Sequence, residues 1–94
     1  MIIFYFGLEG DAVANILVVD DEKEIADFVS IYLSNEDFNV YKYYSSNDVL
    51  RDLDKMDIDL AILDVMMSEI DDFELYYRIR EKYTFPIIFA MAKV

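Results

Sequence analysis

Ile16-Leu17-Val18-Val19-Asp20-Asp21 and Leu60-Ala61-Ile62-Leu63-Asp64 decide the fold, because each is a short apolar run that ends in acid. Apolar residues in unbroken sequence describe a strand covered on both faces, the habit of parallel sheets with helices above and below. In open sheets of that kind, ligands gather beyond the carboxyl ends of the strands. Side by side, the two runs place Asp20, Asp21 and Asp64 along one edge, which is the candidate site. Three carboxylates packed together repel, and burial raises the cost, so a cation is expected among them. Oxygen-only donors suit a hard ion, and Mg²⁺ is the expectation.

Outward from these runs, the hydrophobic period changes repeatedly between strand-like and helix-like. Asn15 to Asp20 reads as a buried strand, and Ile25, Phe28, Val29, Tyr32 and Leu33 make one face of a helix from about Glu22 to Asn35. Asp21 or Glu22 suits the first turn of that helix. Asn39 to Tyr44, rich in aromatic and β-branched residues, reads as an edge strand. Ser45-Ser46-Asn47-Asp48 resembles a capping box ahead of a second helix carrying Val49, Leu50, Leu53 and Met56. Asp59 to Asp64 is the second buried strand. A third helix, Asp72 to Lys82, runs through Phe73, Tyr76 and Ile79 and closes before Pro86, since the residue preceding proline avoids helical geometry. Ile87 to Met91 is the last strand. Strands alternating with helices predict one α/β layer system with a parallel sheet and right-handed crossovers.

The 94 residues allow one small domain, and an apolar fraction of 56% excludes a disordered chain despite a net charge of −12. So acidic a chain is a poor nucleic-acid binder, because phosphate contacts need clustered Lys and Arg; its partners are expected to be basic proteins or cations. The eight tyrosines have no interleaved basic residues and read as core and edge residues, not as a base-stacking platform. Absence of cysteine fits a reducing compartment. No apolar stretch approaches a membrane span and no basic n-region precedes a long apolar one, so a cytoplasmic location is expected.

Ile16 to Glu22, Asp59-Leu60-Ala61-Ile62-Leu63-Asp64-Val65-Met66-Met67, Ile79-Arg80-Glu81-Lys82 and Phe85-Pro86-Ile87-Ile88 together resemble the receiver domain of two-component response regulators. The nearest texture is that of the winged-helix-output class, including the vancomycin-resistance type. The resemblance spans residues 15–94 and leaves 1–14 as an extension outside the family pattern. It implies a flavodoxin-like doubly wound parallel sheet of strand order 2-1-3-4, cut short after the fourth strand and lacking the fifth strand and the last two helices. It implies also a phosphorylation switch. A sensor histidine kinase donates a phosphoryl group to Asp64, with Mg²⁺ held by Asp21, Asp64, the backbone carbonyl of Met66, and Asp20 through water. Such a domain is a signalling module and not an enzyme; its ancestral output is transcription control through a DNA-binding domain. The chemistry is sufficient in outline, because phosphoryl transfer is mostly positioning and charge neutralisation and a carboxylate nucleophile needs no base.

The sequence departs from that pattern in ways that bear on function. Met91 stands where the family carries Thr or Ser, and methionine offers no hydroxyl to a phosphoryl oxygen. Ser68 replaces a proline, and Asp72 replaces a glycine that supports a positive-φ turn. The family's fifth-strand lysine has no counterpart here, since Lys93 aligns just after the fourth strand. An interaction module or remnant that no longer switches is therefore the alternative reading. An aspartate-nucleophile phosphatase ranks last, because such enzymes carry a second Asp two residues after the nucleophile and this chain has Met66 there. Each acid also has a plainer reading, since an acidic residue after a strand is often only a helix cap. The apolar run Ile87 to Met91 is an exposed edge expected to favour self-association, unless Ile2-Ile3-Phe4-Tyr5-Phe6 adds to it as an antiparallel strand.

Overall fold

The computed structural model describes residues 13–64 and 72–90, the side chains of Asp72 and Phe73 excepted. Four strands and three α-helices alternate: β1 (Asn15–Val19), α1 (Lys23–Asn35), β2 (Asn39–Tyr43), α2 (Ser46–Asp52), β3 (Leu60–Asp64), α3 (Asp72–Arg80) and β4 (Ile87–Ala90). A 3₁₀ turn, Leu53–Lys55, follows α2. The strands form one parallel sheet in the order β2-β1-β3-β4, as expected.

Two apolar layers cover the sheet. Because strand side chains alternate between faces, Leu17, Val19, Ala61 and Leu63 pack with Val49, Leu53, Leu75 and Ile79 of the α2–α3 side. Ile16, Val18 and Leu60 pack on the other face with Leu33 of α1. Alternating sides explains why β1 and β3 read as unbroken apolar runs.

Parallel strands have no hairpin turn to fix their register, and here one residue supplies that function. Asn15 donates its main-chain N–H to Asp59 Oδ2 at 2.7 Å and its side-chain amide to the Asp57 carbonyl at 2.8 Å. Its side-chain oxygen accepts from Asn39 Nδ2 at 3.1 Å, and its main-chain carbonyl accepts from Asp59 N–H at 2.8 Å. All four polar groups of Asn15 thus bind the starts of β2 and β3 to β1. This corrects the sequence-based expectation for Asp59: the strand begins at Leu60, because Asp59 is an anchor to Asn15.

The face of α1 also differs from expectation. Ala26, Ser30 and Leu33 are buried, Val29 and Tyr32 are half-buried, but Phe28 is 73% exposed and Ile31 62% exposed. Ile25, too, lies on the exposed side. Small side chains let the helix axis approach the sheet, and the stripe that touches it is therefore Ala26-Val29-Ser30-Leu33 instead of the most hydrophobic one. The end of α1 is a Schellman motif: Phe38 N–H donates to the Leu33 carbonyl and Asp37 N–H to the Ser34 carbonyl, both at 3.1 Å. Asp37 takes the left-handed turn this needs, with φ of 68°.

The N-cap half of the capping-box reading is present, since Ser45 is the N-cap of α2 and its side chain accepts from Asp48 N–H, while Asp48 Oδ1 accepts from Arg51 Nη1. The apolar period running on to Met56 is explained by the 3₁₀ turn, which ends at Lys55 and is capped by Met56. Helix α3 stops at Arg80, before the expected Lys82. Arg80 donates to the Tyr83 carbonyl at 3.1 Å and lies over the rings of Tyr76 and Phe85. Leu75 and Ile79 are its buried residues, and Tyr77 is exposed. Residues 1–12 of the extension 1–14, Ser68 and Met91 lie outside the described residues, and so do the expectations for them. No helix among the described residues is long and apolar enough to cross a membrane.

Two substitutions on α1 distinguish the observed face from the expected one. In urea unfolding, Phe28→Ser is expected to change stability by less than about 0.5 kcal/mol, whereas Leu33→Ala costs about 3 kcal/mol. Asp37→Gly relieves the left-handed backbone and is expected to raise stability by about 0.5 to 1 kcal/mol in the same measurement.

Candidate functional site

The parallel register builds the site. Val19 of β1 lies opposite Leu63 of β3, so the residue after each strand pair, Asp20 and Asp64, arrives at the same level of the sheet. Asp21 follows at the turn into α1. Carboxylate oxygens of Asp20, Asp21 and Asp64 all lie within 4.8 Å of one another. Asp20 and Asp64 are buried, and Asp21 is half-buried. The three residues singled out in the sequence are thus brought together. Met66 lies outside the described residues.

Asp20 is held at two levels. Its main-chain N–H donates to the Tyr43 carbonyl at 3.1 Å, extending the β1–β2 ladder by one residue, and Glu22 N–H donates to its Oδ1 at 2.9 Å. That amide bond favours the ionised carboxylate, but it loses to the surroundings. Burial, followed by the charge of Asp64, a hydrogen bond shared with Asp64 and the charge of Asp21, pushes the Asp20 carboxyl up from 3.8 to about 6. Keeping Asp20 ionised at neutral pH without a cation costs on the order of 3 kcal/mol.

These carboxylates fit a hard divalent ion. They offer only oxygen, and one carboxylate oxygen of each converges with the other two into a group that could hold a metal ion, one of them directly or through water. Away from the sheet edge, four carboxylates among the described residues meet a base: Asp27 meets Lys42 at 2.8 Å, Asp52 meets Arg51 at 2.8 Å, Asp48 meets Arg51 at 3.0 Å and Asp54 meets Lys82 at 3.6 Å. Those pairings are on the surface and are worth little individually.

The side-chain hydrogen bonds of Tyr43 and Tyr44, beside the Asp20 main chain, are not legible in the sequence. Tyr43 Oη donates to Asp52 Oδ2 at 2.9 Å and Tyr44 Oη to Asp27 Oδ1 at 2.6 Å.

The charge crowding gives a pH dependence of definite sign. Asp20 has a higher proton affinity folded than unfolded, so its contribution to stability is full below about pH 4 and is lost as pH rises through about 6. In the metal-free protein, Asp20→Asn is expected to raise stability at pH 7.5 by about 2 to 3 kcal/mol and to leave it nearly unchanged at pH 4, measured by urea unfolding at both values.

Similarity to known proteins agrees with this architecture. Residues 16–94 match the family model described as Response regulator receiver domain. The chain is 49% identical over 78 residues to the regulatory protein VanR of Enterococcus faecium, covering 83% of this chain and 34% of that protein. It is 35% identical over 79 residues to the heme response regulator HssR of Staphylococcus epidermidis, covering 84% of this chain and 35% of that protein. The chain therefore spans about a third of the length of the curated relatives it matches. Among solved structures, it superimposes with a TM-score of 0.78 on the response regulator TrrA of Thermotoga maritima, determined in complex with Mg²⁺-BeF; identity is 30%, over 86% of this chain and 71% of that one. A receiver domain from Methanospirillum hungatei, at 20% identity, shares the fold with a TM-score of 0.80 over 88% of this chain and 67% of that one. Sheet order, acidic edge and sequence agree, and the chain belongs to the response regulator receiver domain family.

Proposed function

We propose that this chain is the phosphoacceptor module of a two-component system, taking a phosphoryl group on Asp64 from a sensor histidine kinase. The observation that carries the reading is the convergence of Asp20, Asp21 and Asp64 at the ends of β1 and β3. In this reading Asp21, Asp64 and the Met66 carbonyl hold Mg²⁺, with Asp20 reaching it through water. When bound, the ion offsets the charge of the cluster and of the incoming phosphoryl oxygens.

The residues of the chain supply the remaining parts. An Asp64 carboxylate oxygen attacks the phosphorus of a phosphohistidine, the P–N bond breaks, its electron pair leaves with the imidazole, and an acyl phosphate forms on Asp64. Burial of Asp64 keeps competing water from the reacting oxygen, while Asp20, fixed by the Glu22 amide, holds its carboxylate toward the cradle. In this reading the ancestral output is control of transcription in the cytoplasm through a DNA-binding domain, as the resemblance to the winged-helix-output class of regulators implies. The chain itself acts as substrate and switch, not as a turnover enzyme.

A second reading has a specific observation behind it. Ala90 is the register partner of Asp64, and the next residue in sequence is Met91, where the family pattern carries a hydroxyl. Without that donor, a receiver can retain its surface for binding a kinase and lose its switch.

One experiment separates the two. Incubation with Mg²⁺ and a small phosphodonor such as acetyl phosphate, followed by intact-mass measurement, is expected to show the gain of one phosphoryl group in the wild type and none in Asp64→Asn. Omission of Mg²⁺ is expected to abolish the gain. A wild-type chain that gains no mass at any time would leave the interaction module as the correct reading.

A further inference from the structure

We propose that Tyr43 and Tyr44 are positioning residues that fix Asp20 inside the acidic cradle and thereby set how tightly the cradle holds a divalent cation. The second half of this inference rests on the metal reading given above; the first does not.

The argument starts from one peptide group. The Tyr43 carbonyl that accepts from Asp20 N–H belongs to the peptide unit joining Tyr43 to Tyr44. Tyr43 ends β2 and Tyr44 begins the turn after it, and their hydroxyl partners on α2 and α1 show that the two side chains leave this peptide toward opposite sides of the sheet. On the α2 side, Tyr43 Oη donates to Asp52 Oδ2 at 2.9 Å, and Arg51 holds the same carboxylate through Nε on Oδ1 at 2.8 Å and through Nη2 on Oδ2 at 3.0 Å. On the α1 side, Tyr44 Oη donates to Asp27 Oδ1 at 2.6 Å, and Lys42 Nζ meets that oxygen at 2.8 Å. The ammonium groups of Lys23 and Lys42 lie 5.4 and 5.6 Å from the Tyr44 ring centroid. The peptide is therefore pinned at both ends, to a helix on either face of the sheet.

What that peptide holds is the start of the Asp20–Glu22 loop. Lys23, the first residue of α1, lies against the same Tyr44 ring, so the far end of the loop is tied to the same side chain. With the Glu22 amide on its Oδ1, Asp20 is fixed in main chain and carboxylate alike. A mobile carboxylate relieves repulsion by turning away from its neighbours; this one is denied that route. The cluster stays assembled before the ion arrives, and outer-shell contacts of this type govern metal affinity by sparing the ordering cost at binding.

The test compares the whole 94-residue chain with Tyr43→Phe, Tyr44→Phe and the double variant. Amide hydrogen exchange by NMR reads the anchor without metal, and calorimetric titration with Mg²⁺ reads the affinity. Phenylalanine keeps the ring packing and removes only the hydroxyl. Exchange at Asp20 and Glu22 is expected to accelerate in the double variant while β3 amides stay protected, and Mg²⁺ affinity to fall about tenfold, with smaller losses in the single variants. Ile79→Val, a packing change on α3, is expected to lower the melting temperature and leave both readouts alone. Unchanged exchange in the double variant overturns the proposal. Accelerated exchange with undiminished Mg²⁺ affinity overturns its second half. Accelerated exchange in a protein whose wild type binds no Mg²⁺ upholds the anchor and removes the metal reading of the site instead.

Discussion

Mutual repulsion among Asp20, Asp21 and Asp64 is the constraint around which the rest is arranged. Carboxylates in water keep their distance, and only a rigid frame holds three within 4.8 Å. The frame is the β1–β3 pairing, which delivers both strand ends to one level, together with the apolar layers on either face that exclude water from Asp20 and Asp64. Folding energy from those layers is thus spent in part on an unfavourable cluster. That cost is the usual mark of a binding site, where local stability is given up for affinity.

The same trade explains why charge is distributed so unevenly. Away from the sheet edge, most acids with a lowered proton affinity have a named donor: Asp52 is held at about 2 by Arg51 and Tyr43, and Asp27 and Asp54 also lie below the ordinary carboxylate range through Lys42 and Tyr83. The Asp20 carboxyl moves in the opposite direction, pushed up chiefly by burial. A net charge of −12 therefore has two components, a dispersed surface excess tempered by pairing and a small concentrated pole at the strand ends. The second kind selects a small dense cation over a flexible polycation, because only the small ion reaches between buried oxygens.

The sheet and its acidic edge were readable in the sequence because both strands are apolar on two faces and end in residues that cannot stay in a core. Helix geometry was less legible. Hydropathy favoured Phe28 on the inward face of α1, yet packing against the sheet selected Ala26 and Ser30, whose small size a hydrophobic scale ranks low. Asp59 looked like the first residue of a strand, since nothing local distinguishes a strand residue from one that binds the strand next door. The tyrosines read as core and edge residues, which Tyr41 and Tyr43 partly are. Their hydroxyl partners, Asp27 and Asp52, lie seventeen and nine residues away, a separation that periodicity does not register.

Asn15 carries a consequence that reaches the opposite end of the sheet. Side chains in a strand change face at every residue, so a slip of one position would turn an entire apolar set outward and carry a carboxylate out of line with its neighbours. By engaging β2 and β3 where they begin, a single amide side chain sets the phase in which all three strands run. The spacing of the acids is accordingly an inherited property: it is written at the far rim, four residues upstream of Val19, by a residue that never meets them.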